Sequence, residues 1–342
     1  MDRLASTDTL RGRSDESRIA LWLFLDANRW LIGGLLSVLT FSVLVVLGAA
    51  APPLSEMMQS SDPVETAFQA LIGALITGVT LVVSINQLVL SQEIGQLGDH
   101  HTWMDEAMEF RREVELLFGS IGPPDPAQFL QALVETSSDR AEALRGAVED
   151  NDDEELRDRT DRLVENVVEN SEEIYEQLET ADFGEFGVLR SGLNYNYSWK
   201  IYAVRRLRNE HEDSLEEDDL EAFDDLVEIL TLFGPALEHF KSLYFQWELV
   251  NLTRSILYVA IPALLTSIAT VLYLDPGAFP GATLGVDDVV WLVSASTTLA
   301  LVPFLLLAAY VVRIATISKR TGALGPFILR SSERTTAIDW EQ

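Results

Sequence analysis

Six small or polar side chains recur along one segment of the chain, at spacings of 4, 3, 4, 3 and 4 residues. They are Gly73, Thr77, Thr80, Ser84, Gln87 and Ser91, and we call them the polar stripe. Because an α-helix has 3.6 residues per turn, this spacing puts all six on one side of a helix. Aligned hydroxyl and amide groups could line a water-filled path for ions. They could equally mark a face where helices approach closely and form hydrogen bonds across the contact.

A second stripe runs beside the polar stripe and is entirely apolar. It consists of Ile72, Ile76, Val79 and Val83, which we call the apolar stripe. A ring of apolar side chains can close a pore by excluding water from it. If several copies of the chain placed this segment around a shared axis, the polar stripe would line the pore. Alternatively, the apolar stripe would face the axis and act as the gate.

Four apolar runs must position these stripes, and each is close to the roughly 20 residues that a helix needs to cross a bilayer. The runs cover residues 31–51, 66–90, 255–274 and 289–312. They predict an all-α membrane protein with four transmembrane helices in two hairpins and a helical cytoplasmic domain inserted between the second and third. The predicted segments are 1–29 with an interfacial helix, the first hairpin 30–91, the acidic helical domain 92–250, the second hairpin 251–312 and the tail 313–342.

The distribution of basic residues predicts the orientation in the membrane. Loops 52–65 and 275–288 carry no Lys or Arg, whereas the N-terminal segment, the central segment 91–254 and the tail carry all 24 of them. The positive-inside rule therefore places both termini and the central domain in the cytoplasm. The expected location is the cell membrane, with the lipid bilayer as the first partner.

The charge balance indicates the salt concentration in which this protein is stable. Asp and Glu number 54 against 24 Lys and Arg, which gives a formal charge of −30. Molar salt screens such a field within roughly 3 Å, whereas dilute salt leaves it repulsive. This composition is typical of an extreme halophile, in particular a haloarchaeon. A nucleic-acid partner is disfavoured because the chain offers no basic stripe.

One basic cluster interrupts the acidic domain. Arg205, Arg206 and Arg208 follow an aromatic-rich segment that contains Tyr197 and Trp199. Stacking and guanidinium contacts could hold an anionic group or a cytoplasmic protein partner there. The alternative is that the aromatic residues pack in the domain core and the arginines pair with nearby carboxylates.

No residue pattern predicts catalysis, a metal site or a cofactor. Asp99, His100, His101, Asp105 and Glu106 are close in sequence, but adjacent histidines point about 100° apart on a helix. They lack the i, i+4 histidine pair of helix-borne metal sites, and the chain has no cysteine. The expectation is a non-enzymatic protein without metal or cofactor. The four runs also lack ionisable residues, which argues against a proton pump or an ion-coupled transporter.

The overall plan from about residue 15 to 320 resembles the bestrophin family and its prokaryotic relatives. The resemblance rests on the two hairpins, the internal termini, the helical insertion and the pore-suited second run. It implies an oligomeric, usually pentameric, ion channel whose second span lines the pore. The leading interpretation is therefore a homo-oligomer that conducts inorganic ions passively. The alternative is a membrane-anchored signalling or scaffold protein that binds a partner through its cytoplasmic helices.

Overall fold

The computed structural model describes residues 27–50, 63–93, 97–181, 186–275 and 278–321. These residues are predominantly helical, which confirms the all-α fold class. The α-helices within them are α1 Arg29–Ala50, α2 Pro63–Glu93, α3 Leu97–Phe118, α4 Pro126–Ala147, α5 Glu154–Glu179, α6 Phe186–Asn194, α7 Tyr197–Glu210, α8 Glu217–Tyr273 and α9 Asp288–Thr321. By length and composition, α1, α2, α8 and α9 could each cross a membrane. The interfacial helix predicted near residues 19–25 lies outside the described residues.

Two compact units divide the described residues. The first, which we call the acidic unit, comprises residues 97–181, 186–245 and 318–321. The second, the membrane unit, comprises residues 27–50, 63–93, 246–275 and 278–317. Helix α8 contributes residues to both units, as expected from the apolar pattern that enters the third run without a linker.

Helix ends in the acidic unit follow capping chemistry. Asp125 accepts hydrogen bonds from the backbone N–H groups of Ala127 and Gln128, as predicted for the start of α4. The cap of α5 is Asp153, whose side chain accepts from the N–H of Leu156. The sequence instead favours Asn151 or Asp152 at this place. Both are wrong by one or two residues, because several consecutive acidic side chains offer nearly equivalent caps.

The start of α8 also differs from expectation. The sequence Ser214-Leu215-Glu216-Glu217 matches a capping box and predicts Ser214 at the cap. In the structure Ser214 lies in a short 3₁₀ turn, Glu212–Ser214, and α8 begins at Glu217. Asp219 takes over the terminal hydrogen bond, because its carboxylate accepts from the N–H of Glu216 at 3.0 Å. The sequence predicts a kink at Gly234-Pro235. Helix α8 continues through these two residues as one uninterrupted helix.

The core of the acidic unit forms from one apolar face each of α5 and α8, which the helical spacing of their apolar residues predicts. Buried members are Leu163, Val167, Ile174, Leu178, Phe223, Leu226, Leu230 and Phe233. Helical spacing puts each set on one side of its helix, so burying that side removes most of its apolar surface from water. This core explains how so acidic a unit forms a compact structure.

In the membrane unit, α9 packs against both α1 and α2. A Cβ added to Gly33 or Gly48 of α1 would lie 3.1 Å from Leu306 or 2.5 Å from Val290 of α9. On α2, the same test puts Gly78 at 3.2 Å from Phe304. These glycines are therefore sites of close helix approach, as is common in membrane bundles.

A short β-hairpin joins α8 to α9. Strand β1, Ala282–Thr283, pairs antiparallel with β2, Val286–Asp287. The turn residues Leu284 and Gly285 both have positive φ, at 56° and 79°. This conformation matches a two-residue hairpin turn and is strained at the leucine.

Candidate functional site

The polar stripe lies on the uncovered side of α2. All six of its side chains are exposed in the chain. A Cβ added to Gly73 would meet nothing within 4 Å. Close helix packing within one subunit therefore does not explain the small and polar residues at these positions.

The face that α2 packs against its own unit lies on the opposite side of the helix. Its buried residues are Val64, Phe68, Leu75 and Val82. On an ideal helix, the centre of the polar stripe is turned about 180° away from the centre of this set. Of all directions around α2, the polar stripe thus points most directly away from the rest of the membrane unit.

The hydroxyl groups of the stripe are bonded to the helix itself. Thr77, Thr80 and Ser84 donate to the carbonyl oxygens four residues earlier, at 2.9, 2.8 and 2.9 Å. Ser91 donates to the carbonyl of Leu88 at 2.7 Å. Each hydroxyl oxygen keeps lone pairs that can accept from water or contact a cation. Gln87 adds an exposed amide, which both donates and accepts.

The apolar stripe lies on the flank of α2 and is partly covered. Ile72, Val79 and Val83 are half-buried, and Val79 packs against the cluster around Val82. Ile76 alone is exposed, at 55%. On this geometry, the polar stripe is more available to a surface outside the subunit than the apolar one.

A buried charged cluster in the membrane unit escaped sequence reasoning. The Arg313 Nε lies 3.5 Å from the Glu248 Oε1, and both side chains are largely buried. Arg29 is also buried and interacts electrostatically with the same carboxylate. The Tyr310 hydroxyl lies 3.2 Å from the Ser255 hydroxyl and bridges α9 to α8.

The cluster was missed because its charged members lie just outside the apolar runs. By the positive-inside rule, Arg29 and Arg313 are flanking charges that determine orientation, and the predicted bounds place Glu248 in the acidic domain. One sequence pattern does indicate that Glu248 is buried. Glu248 precedes Leu252 by four residues on a helix that enters the membrane without a break, so both lie on the same face.

The basic cluster of the acidic unit is engaged by neighbouring carboxylates. Arg206 Nε donates to Glu210 Oε1 and Arg208 Nη1 donates to Asp224 Oδ1, each at 2.6 Å. Burial alone would raise the pKa of Glu210, but Arg206 and Arg159 lower it below its ordinary value. Arg205 is exposed.

Three of the four aromatic residues before these arginines belong to the core, and the fourth, Tyr202, is 48% exposed. Tyr195, Tyr197 and Trp199 are buried, and the first two stack on Phe233 at ring-centroid distances of 4.8 and 5.6 Å. They offer no open face to a ligand. The arrangement favours packing and ion pairing for this segment over anion capture.

Serine, histidine and aspartate meet once in the acidic unit, but not as a catalytic triad. His211 Nδ1 and Ser214 Oγ lie 2.7 and 3.1 Å from the same oxygen of Asp153. A triad needs the serine bonded to the histidine ring instead. Hydrogen bonds from the Leu156 N–H and from His211 lower the pKa of Asp153 to about 2, so this carboxylate is a structural anion.

The described side chains near His100 do not form a metal site. His101 Nδ1 lies 3.0 Å from Asp105 Oδ2, with both side chains well exposed. Within the described ranges, no group of three His, Asp or Glu side chains could hold a metal ion.

The four long apolar helices, with a buried charged cluster and an uncovered polar stripe, define a multi-pass membrane protein. The chain belongs to the family of unknown function DUF7972, whose model matches residues 2–342. Comparison with curated proteins and with solved structures finds no match.

Proposed function

We propose that the protein is a homo-oligomeric channel that conducts inorganic ions passively, with α2 of each copy at a shared axis. One observation carries the proposal: the polar stripe points away from its own subunit, where the chain leaves it uncovered. A helix surface that faces lipid gains from apolar side chains, whereas a surface that faces a water-filled path gains from hydroxyl and amide groups.

Gln87 adds weight to this interpretation. Thr and Ser can satisfy their own hydroxyls on the helix backbone, so lipid contact costs them little. An amide has two donors and an acceptor that one backbone carbonyl cannot satisfy. An exposed Gln87 on a membrane helix is thus better placed against water or another copy than against acyl chains.

The proposal includes an orientation and a setting. Both termini and the acidic unit lie in the cytoplasm, because the basic residues avoid the loops 52–65 and 275–288. The acidic surface suits a salt-filled haloarchaeal cytoplasm. In plan, such an oligomer would be similar to the bestrophins, including a possible pentamer.

Lysine scanning in reconstituted liposomes tests the proposal. Thr80→Lys should leave the oligomer intact and shift the preference of the flux towards anions, because a ring of positive charges controls selectivity at close range. A matched control is Leu265→Lys on α8. Leu265 is exposed and lies, like Thr80, ten residues from the predicted cytoplasmic end of its apolar run. We expect this lysine to face lipid and prevent stable expression, at a cost of about 2.5 kcal/mol or more per subunit.

Two results would contradict the proposal. The first is an intact oligomer that shows no ion flux in the parent protein and no change in the Thr80→Lys variant. The second is equal loss of expression in both lysine variants, because it would mean that Thr80 also faces lipid or a dry helix contact.

A second function, as a scaffold for a cytoplasmic protein, is favoured by α3. Every residue from 100 to 109 on this helix is exposed, including Trp103, Met104 and Met108. Exposed aromatic and methionine side chains are common at protein interfaces. If α3 binds a partner, replacing Trp103 and Met104 by serine should abolish co-purification of that partner and leave ion flux in liposomes unchanged.

A further inference from the structure

The turn of the β-hairpin between α8 and α9 holds a leucine in a strained position. Leu284 has a φ of 56°, in the left-handed region that suits glycine or asparagine better than leucine. Its side chain is also 88% exposed, so it gains almost nothing from contacts within the subunit. Single exposed apolar residues are common on proteins, but a strained conformation persists only where its surroundings favour it. The strain at this exposed leucine therefore points to a contact outside the chain.

The hairpin is held against the membrane helices on both sides of its turn. After the turn, strand β2 packs against α1. Before the turn, the carbonyl oxygen of Thr283 accepts a hydrogen bond from the indole N–H of Trp291 at 3.1 Å. The ring of Trp291 lies 5.9 Å from the ring of Phe41, which is inside the apolar run 31–51. Leu284 is therefore placed beside the ends of helices that cross the membrane.

The surface that leads to the hairpin has the chemistry of a lipid contact. Exposed apolar residues follow one side of α8 at spacings of 4, 3 and 4: Ile261, Leu265, Ile268 and Leu272. Tyr273, the last residue of α8, is 80% exposed. Tyr and Trp side chains are enriched where a membrane helix meets the headgroup layer. Tyr273 and Trp291 thus indicate that this layer lies at the end of α8 and the start of α9, next to the hairpin.

Charge does not attract this hairpin to anionic headgroups. Loop 275–288 contains three Asp and no Lys or Arg. One of the three, Asp288, accepts a hydrogen bond from the Thr283 hydroxyl at 2.7 Å and so stabilises the hairpin. Attraction to anionic lipid needs basic residues near the surface. A contact between this hairpin and lipid therefore depends on an apolar side chain.

We propose that the hairpin is a membrane-interface anchor, in which Leu284 inserts into the lipid layer at the boundary between headgroups and acyl chains. Insertion removes the leucine side chain from water, which offsets the strain of its backbone. Trp291 positions the turn, and the anchor fixes the depth in the membrane at which α8 ends and α9 begins. The inference concerns the membrane unit alone and stands whether or not the protein conducts ions.

Spin labelling of the full-length protein in lipid bilayers at high salt tests the anchor. The chain has no cysteine, so Leu284→Cys carries a single nitroxide label. Oxygen concentrates among the acyl chains, whereas a charged nickel chelate stays in water, so the ratio of their collision rates with the label measures its immersion in lipid. We expect this ratio at position 284 to be several-fold higher than at a site in water. It should approach the ratio at Leu265→Cys, on the exposed apolar side of α8.

The matched control is Leu116→Cys on α3, because Leu116 is a similarly exposed leucine, at 82%, in the acidic unit. A label there should collide mainly with the nickel chelate, which shows that the label does not enter lipid by itself. Equal ratios at positions 284 and 116 would overturn the anchor, because Leu284 would then lie in water. A label at position 284 that neither reagent reaches would also overturn it, because protein, such as a second copy of the chain, would then cover the turn.

Discussion

The exposed side of α2 and the exposed sides of α1 and α8 belong to one membrane unit but differ in chemistry. Exposed large residues on α1 include Leu35, Val38, Leu39 and Val46, and those on α8 include Ile261, Leu265 and Leu272. These surfaces are what lipid requires. The surface of α2 that points furthest from its unit carries glycine, hydroxyl and amide groups instead, with exposed Leu81, Ile85 and Leu88 beside them.

Small residues serve different purposes along α1 and along α2: Gly78 of α2 lies close to Phe304, whereas a Cβ on Gly34 of α1 would meet nothing within 4 Å. Gly33 and Gly48 of α1 are in close approach to Leu306 and Val290, so their lack of a side chain allows α9 to pack. Gly73 of α2 has open space around the position of a Cβ. The comparison shows that a small residue in a membrane helix indicates packing only when a neighbour is present at that face.

The largest expected effect separates these two kinds of glycine. Gly48→Leu should unfold or strongly destabilise the protein, by about 3 kcal/mol or more, because even a Cβ would lie 2.5 Å from Val290. Gly73→Leu should leave the fold of the subunit intact, because a Cβ there meets nothing within 4 Å. If another copy fills this space as proposed, the same variant should reduce the oligomer. Thermal unfolding and size-exclusion chromatography in mild detergent measure the two effects. Equal behaviour of the two variants would remove the distinction.

A second prediction contrasts the acidic unit with the membrane unit. Residues 91–250 contain 13 basic and 40 acidic residues, whereas the apolar runs contain none. Lowering salt from molar to millimolar should therefore accelerate amide hydrogen exchange in α4 and α5 by unscreened repulsion, and leave α9 almost unchanged. Uniform exchange across both units at all salt concentrations would contradict this explanation of the acidity.

The smallest expected effect concerns the capping carboxylate of α5. The folded pKa of Asp153 is about 2, below the roughly 3.9 of an unfolded aspartate. A lowered folded pKa means that its stabilisation is complete above about pH 4 and is lost as pH falls towards 2. Asp153→Asn should therefore cost about 1 kcal/mol at neutral pH and little near pH 2. A cost that does not change with pH would show that charge is unimportant at this cap.

Sequence periodicity predicted the helices and their core faces well, because apolar spacing directly determines which side is buried. Leu163 and Phe223, for example, are buried as expected. Hydropathy also located the four membrane helices. It could not show which side of α2 its neighbours cover, since that depends on the arrangement of four separate helices.

The buried charged cluster shows what sequence periodicity cannot predict. Glu248 looked like one more acidic residue in a chain that has 54 of them, and only packing reveals that it is buried against two arginines. Pairing between helices brings together residues that are far apart in sequence, here 65 positions between Glu248 and Arg313. A spacing pattern within one helix cannot report such contacts.

Cross-linking at the polar stripe tests the central claim most directly. The chain has no cysteine, so a single introduced one gives an unambiguous product. We predict that Ser84→Cys in membranes is linked into dimers by a short bis-maleimide, because α2 helices of neighbouring copies meet at one axis. The control is Ile261→Cys, which is exposed on α8 and lies, like Ser84, six residues from the predicted cytoplasmic end of its run, and it should remain monomeric. Equal yields from the two positions, or no linkage at Ser84, would contradict the claim that the polar stripe faces another copy.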